Sequence, residues 1–351
     1  MDPATDPNVI PANTGVHLRS ANAGITATLD PRERGKAVVD GQRPVREKPR
    51  RERVARSGDK RAVFGNNWLG FAFAIPQLLL IFTFFYWPAS QAVYWAFTLQ
   101  GPWGGGSEFV GLDNIRAVVT DPVYWDSVIR SLVFAAVSTG LSMAIALVLA
   151  LLVDCELAGN RIYRSVLVWP YAIAAPALGL AFRFMLAPQA GILAFANHIW
   201  PGIWDPTING NEALGAIIFA FAWKYVGYNF IFMLAALQNI PRSLLEAGAM
   251  DGARPLRRMI DIQVPLLTPT LFFLLVLNIT DSFQDSFGIV DIMTGGGPAR
   301  ATNLMVYKIY FDGFKGLDYS GAAAQSIILM LLVVALTFIQ FRYIERRVHY
   351  K

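Results

Sequence analysis

Ile240-Pro241-Arg242-Ser243-Leu244-Leu245-Glu246-Ala247-Gly248-Ala249-Met250-Asp251-Gly252-Ala253-Arg254-Pro255 lies between two long apolar runs, and its reading decides the fold. Ser243 followed three residues later by Glu246 has the form of a capping box, so a helix is expected to start at Ser243. Asp251-Gly252 supplies turn chemistry, and Gly252 can take the left-handed backbone that closes a short helix. Pro255 suits the first position of a second helix, where its missing N–H costs nothing. Pro265 marks the start of the next apolar run. The stretch, about residues 240–264, therefore reads as two short helices at an angle. It is a compact polar knob between two spans, able to fit a cleft on a partner and transmit a push.

Composition places the knob in a membrane protein. Of 351 residues, 54% are hydrophobic and only 16% charged, outside the norms of soluble domains. Six segments reach the roughly 20 residues needed to cross a hydrocarbon core: 68–98, 129–153, 165–187, 212–237, 266–289 and 319–341. The predicted class is an all-α integral membrane protein with six transmembrane helices. With the N-terminus inside, segments 1–67, 154–164, 238–264 and 342–351 carry 23 Lys and Arg, against 4 in 99–127, 188–212 and 290–319. Leaving out the long N-terminal segment, where distant charges weigh little, the count is still 10 against 4. This asymmetry predicts both termini, and the knob, on the cytoplasmic side.

Residues 1–60 are rich in Pro, Gly, Asp and Arg without apolar periodicity, which predicts a disordered, basic cytoplasmic tail. It lacks the apolar core and small-residue cleavage site of a signal peptide. The basic run Arg43–Arg61 either leans on anionic headgroups, at about 1 kcal/mol per charge, or is a solvated segment that enforces topology. Residues 61–351 form the membrane domain. A lone cysteine, Cys155, leaves no intrachain disulfide to form.

Several chemistries are missing. No Gly-x-x-x-x-Gly-Lys-Ser/Thr loop occurs, so the chain is not expected to bind ATP or act as an enzyme itself. Thr294-Gly295-Gly296-Gly297-Pro298 lacks the lysine and reads as an outer turn. Three histidines form no metal-ligand pattern. The net charge of +5 sits in the tail and inner loops, as topology demands, and does not indicate nucleic-acid binding.

Ionisable residues within spans are costly and usually face the bundle interior. Arg183 lies in the third span and Lys224 in the fourth, within Trp223-Lys224-Tyr225-Val226-Gly227-Tyr228-Asn229. Asp281 and Asp285 share a face of the fifth at i, i+4 spacing. One reading is a polar path in which Lys224 and Arg183 neutralise an anionic solute while Tyr228 and Asn229 bond its hydroxyls. The other is a Lys224–Asp salt bridge that holds helices together, with Arg183 reaching the outer headgroups. A third would make Asp281 and Asp285 the ion site of a gradient-driven transporter, but no paired broken-helix pattern appears in the two halves.

The knob, continuing through Ile262, Pro265 and Pro269, resembles the EAA loop of binding-protein-dependent ABC importers, departing at Gly248, where that family usually has Ala, and at Met259, where it often has Phe. The resemblance extends from about Trp68 to the end. Phe109-Val110-Gly111-Leu112-Asp113-Asn114 and Leu237–Leu244 are shared with sugar permeases generally. Tyr307-Lys308-Ile309-Tyr310, Gly316-Leu317-Asp318, Ala323-Ala324-Gln325-Ser326 and Gln340–Glu345 are similar to the A-type permeases of sn-glycerol-3-phosphate importers. The resemblance implies the type I importer fold, with Ser243, Glu246, Ala247, Gly248, Asp251, Gly252, Pro255 and Pro265 as the coupling surface for an ATPase. It also implies a second permease subunit, an ATPase dimer holding ATP and Mg, an extracytoplasmic binding protein, and an inner-membrane location. The cargo it implies is glycerol-3-phosphate or a glycerophosphodiester such as glycerophosphocholine; a neutral oligosaccharide is the alternative.

Overall fold

A computed structural model describes residues 67–101, 106–154 and 165–344. The predicted tail, Cys155 and the terminal Glu345 lie outside the described residues. Among the described residues the architecture is carried by α1 Gly70–Ala96, α2 Asp113–Thr120, α3 Pro122–Asp154, α4 Ser165–Ala172, α5 Ala175–Met185, α6 Gly210–Gln238, α7 Arg242–Met250, α8 Pro255–Leu266, α9 Thr268–Gln284, α10 Phe287–Met293, α11 Met305–Tyr310 and α12 Tyr319–Ile344, with a further short helix at Ala194–Ile199. A two-stranded antiparallel hairpin, β1 Thr98–Gln100 and β2 Ser107–Phe109, follows α1 and pairs Leu99 with Glu108.

Four of these helices, α1, α3, α6 and α12, are unbroken and long and apolar enough to cross a bilayer. Two bent pairs bring the number to six if each counts as one span. The third predicted span is thus corrected from one helix to two: α4 and α5 meet at 106°. Ile173 and Ala174 are extended between them, and Pro176, in the first turn of α5, cannot donate the hydrogen bond that would continue α4. The fifth predicted span, 266–289, starts where expected but is broken near its far end, where α9 stops at Gln284 and α10 begins at Phe287. Its straight part is α9, and α8 joins it at 64° around the buried Leu267.

Burial falls very unevenly on the spans. In α6, 67% of the apolar window is buried, whereas none of the α1 window is. The buried side of α3 carries small residues spaced by three or four, Ser131, Ala135, Ser138, Ser142, Ala146 and Ala150; Ser142, Ala146 and Ala150 meet α6, while Ser131 and Ala135 meet α11 and its neighbours. In hydrocarbon, helices gain nothing from leaving water and associate through close packing and hydrogen bonds, which small side chains permit. The serine hydroxyls bond within their own helix, Ser138 to the Phe134 carbonyl at 2.6 Å, or outward, as Ser131 accepts the Met305 N–H at 2.8 Å.

Polar clasps complete the core. Asn229 and Asn278, both fully buried, exchange hydrogen bonds at 2.7 and 3.0 Å, and Asn229 also donates to Ser142 at 3.2 Å. One side-chain network thus ties α3, α6 and α9 together. On the other face of α6, Gly227 lies against the backbone of α4: an added Cβ would collide with the Leu167 carbonyl and lie 3.0 Å from Val168 Cα. Gly179 and Gly288 do the same between α5 and α10, where a Cβ would meet Ile289 Cα at 3.2 Å and Pro176 Cδ at 2.8 Å.

Because backbone, rather than a flexible side chain, blocks position 227, Gly227→Ala is expected to cost about 1–3 kcal/mol through overpacking. Gly215→Ala on the same helix meets nothing within 4 Å and is expected to be neutral or stabilising by about 0.5–1 kcal/mol. Thermal unfolding of the two purified variants checks the contrast.

Candidate functional site

Two regions carry the residues singled out in the sequence. The first is the knob. Its first helix starts at Arg242, not Ser243, with Pro241 as N-cap and no side-chain cap bond. The expected capping box is therefore not formed: Pro241, with its φ fixed, takes the cap position and moves Ser243 into the first turn. A side-chain cap is instead built at α6, where Asn209 accepts the Asn211 N–H at 3.1 Å and its amide donates to Glu212 at 2.7 Å.

The end of α7 follows expectation. Gly252 has φ +79°, its N–H bonds the Ala249 carbonyl, and the Ala253 N–H reaches back to Gly248, each at 3.0 Å. This is the Schellman arrangement that a left-handed glycine allows. Asp251 caps the helix and Pro255 opens α8. The arms are held together where Arg258 donates to the Leu245 carbonyl at 3.1 Å and Gly248 faces Ile262, whose Cδ1 would lie 2.9 Å from an added Cβ. Leu244, Met250, Leu256 and Ile260 are exposed on the outside, Met250 by 88%. Ser243, Glu246, Ala247 and Pro265 are exposed as well. At the end of α8, Gln263 donates to Asp154 at the foot of α3, at 3.0 Å.

The second region is an open cleft of about 770 Å³ between α6, the α4–α5 bend and the α9–α10 junction. Lys224, Tyr225, Asp281, Gln284, Asp285 and Tyr171 line it. Lys224 is only 6% exposed and its ammonium pairs with Asp285 Oδ2, to which Tyr225 also donates at 3.3 Å. Asp281, one turn earlier on α9, is half-buried and makes no ion pair among the described residues. One lysine faces two aspartates across the cleft. Aromatic rings shape its wall: Tyr171 stacks on Tyr228 at 4.9 Å and meets Tyr225 edge-on at 5.8 Å, while Tyr225 stacks on Phe221 at 4.5 Å. The Gly288–Pro176 contact sets the width at one end.

The structure thus brings Lys224, Asp281 and Asp285 together, with Tyr228 behind Tyr171. It does not bring in Asn229, whose amide is taken up by the Ser142–Asn278 clasp. Nor does it bring in Arg183, which is exposed, donates to the Ile292 carbonyl at 3.1 Å, and lines a separate cavity of about 320 Å³ with Pro188, Thr207, Met293, Thr294 and Gly297. The Lys224–Asp salt bridge of one reading is present and lies on the cleft wall, whereas of the cationic lining of the other only Lys224 is there.

Sequence reading missed a second buried cation. Lys308 is 8% exposed and pairs with Asp312 at 2.7 Å and Asp121 at 3.7 Å, while Gln325 donates to Asp312 at 2.7 Å. It ties α11 to α12 and to the start of α3. Its i, i+4 spacing from Asp312 was the available signal, hidden because the segment read as an outer connection.

The family described as binding-protein-dependent transport system inner membrane component matches residues 158–350. The chain is 46% identical over 291 residues, 83% of its length and 99% of the relative's, to the sn-glycerol-3-phosphate transport system permease protein UgpA of Brucella suis biovar 1 (strain 1330). The UgpA of Rhizobium meliloti (strain 1021) matches to the same extent, and that of Pectobacterium atrosepticum is 43% identical over 291 residues. Among solved structures, a bacterial ABC transporter involved in the import of the acidic polysaccharide alginate superposes with TM-score 0.69 at 20% identity, covering 80% of this chain and 96% of that one. The alginate transporter in complex with its alginate pentasaccharide-bound periplasmic protein gives 0.70 at 19% identity, with the same coverage.

Gly252→Val places a β-branched residue at φ +79°, a strain of about 1–2 kcal/mol. The expected outcome is a loosened knob, read as faster tryptic cleavage after Arg257 and Arg258 than in the unaltered chain.

Proposed function

This chain belongs to the family of binding-protein-dependent transport system inner membrane components, and from that premise we propose that it carries sn-glycerol-3-phosphate or a glycerophosphodiester across the inner membrane as one half of a permease pair. It is a multi-pass membrane permease subunit of an ABC importer. Its partners in this reading are a second permease of the same fold, an ATPase dimer that holds ATP and Mg, and an extracytoplasmic protein that captures the solute. Both termini and the α7–α8 knob lie in the cytoplasm, as the Lys and Arg distribution supports.

The observation that carries the cargo is the match to glycerol-3-phosphate permeases over 99% of their length. The cleft adds chemistry that suits it: Lys224 offers a cation, and Tyr225 a hydroxyl, to a phosphate group. A second reading has its own observation. Asp281 and Asp285 beside the faces of Tyr171 and Tyr225 suit a cationic head, so a zwitterionic diester such as glycerophosphocholine balances the cleft better than a dianion.

In operation, ATP binding closes the ATPase dimer, which seats the exposed apolar face of the knob and draws the two permeases into an outward-open state. The binding protein then releases its solute into the cleft, and hydrolysis resets the bundle. This is alternating access by rigid-body movement. The energy comes from the partner ATPase, so Asp281 and Asp285 are not needed as an ion-coupling site.

ATP-dependent uptake of labelled glycerol-3-phosphate into proteoliposomes holding this chain and its partners, with binding protein outside, tests the proposal. Uptake that glycerophosphocholine competes away and maltose does not is the expected result; ATPase stimulation by a sugar-loaded binding protein alone would overturn the cargo. In the same assay, Gly252→Val is expected to hydrolyse ATP without transport or to lose its ATPase. Coupled uptake at the unaltered rate would remove the knob's assigned role.

A further inference from the structure

Lys224 and Asp285 are unequal partners. Lys224 sits in the middle of the most buried helix, its side chain 7% exposed and backed by the Tyr225 ring, whose centroid lies 5.8 Å from the ammonium. Asp285 is the C-cap of α9, at the break before α10, and its side chain is 39% exposed to the cleft. The cation is fixed, whereas the anion stands at a helix end on the cleft's open side.

A buried ammonium within a membrane must have a counter-ion in every state it visits, because leaving it unpaired is strongly destabilising. Asp285 fills that place when the cleft is empty. We propose that Asp285 is the resting counter-ion of Lys224 and that an anionic group of the solute displaces it. This rests on the phosphate-bearing cargo proposed above. The Tyr225 hydroxyl, which donates to the same Asp285 oxygen, is freed by the exchange to donate to the solute. Two donors set side by side by α6 thus pass from carboxylate to phosphate together.

The ionisable groups facing Lys224 account for why the exchange stays loose. From α9 comes Asp281 and from the α9–α10 junction Asp285; the α4–α5 bend contributes only Tyr171. With Asp285 on the ammonium, an anion gains Lys224 only as Asp285 withdraws. A transit site needs that weakness, because a solute held by an uncontested lysine would be slow to leave. Asp285 is in this sense a release residue, and its withdrawal removes the ion pair between α6 and the α9–α10 junction on the arrival of solute.

The test uses thermal unfolding of the purified, assembled importer with inorganic phosphate as the probe. Asp285→Asn is expected to unfold at lower temperature in chloride buffer and to be restored by phosphate, with a half-maximal phosphate concentration about tenfold below that of the unaltered complex. Asp285→Glu, which keeps the counter-ion, should respond like the unaltered complex, and Asp285→Asn with Lys224→Gln should not respond at all. An equal phosphate response in all four, or a loss in Asp285→Asn that phosphate does not repair, overturns the exchange. Should Asp285→Asn fail to assemble in chloride, recovery with phosphate present throughout solubilisation is the expected result, and failure in both overturns it. If the unaltered importer takes up no glycerol-3-phosphate, the cargo reading falls while a phosphate response in Asp285→Asn still stands. Uptake without that response removes only the exchange.

Discussion

Helices inside a membrane must hold one another without the hydrophobic effect, and α6 is where this constraint is met. Its neighbours approach closely enough for backbone to touch backbone at Gly227 and Leu167. They are fastened by bonds that hydrocarbon leaves no water to replace, above all the Asn229–Asn278–Ser142 clasp. The two broken spans lean on this helix from opposite sides: α4 packs at Gly227, while α9 is tied at Asn229. The cleft between them exists because α6 fixes both. The buried Lys224 is tolerated because the same helix carries it to where Asp285 waits.

The knob and the cleft share one continuous piece of chain. From Gly252 the backbone runs through α8, turns at Leu267 by 64°, and becomes α9, which presents Asn278, Asp281 and Asp285 in succession. A displacement of the knob therefore meets α9 directly. It is braced by Arg258 on Leu245 and by Gln263 on Asp154, so the short helices move as a unit rather than flexing at their turn. Gly248 fits this picture: without a Cβ, the two arms lie close where Ile262 fills the gap.

Length and uniform apolarity made α1, α3, α6 and α12 legible in the sequence to within a few residues, α3 excepted, which begins at Pro122 rather than 129. Composition reports how far a segment can reach but not its direction. The α4–α5 bend was hidden inside an apolar run, although Pro170 and Pro176 were there to be read. Gly252 and Pro255 were legible because left-handed backbone and a missing N–H each have few solutions. The Ser243–Glu246 pattern misled because Pro241, two residues earlier, takes the cap position. Lys224 was found as a charge in a span, and its pairing with an Asp was one of the two readings left open. Asn278 escaped because an uncharged polar residue raises no alarm there, and Lys308 because it fell in a presumed connection. Asn229 was placed on the path by proximity to Tyr228, yet the two point to different neighbours.

The 106° break between α4 and α5 bears on how the chain is made. An eight-residue helix and an eleven-residue helix at that angle do not amount to a straight crossing of about 20 residues, and the groups released at Ile173 and Ala174 need protein around them rather than lipid. The surface that covers α4 belongs to α6, which leaves the ribosome later. Assembly of this membrane domain is then a step that needs the fourth span in place before the third can settle, and the glycine at 227 is where that settling happens.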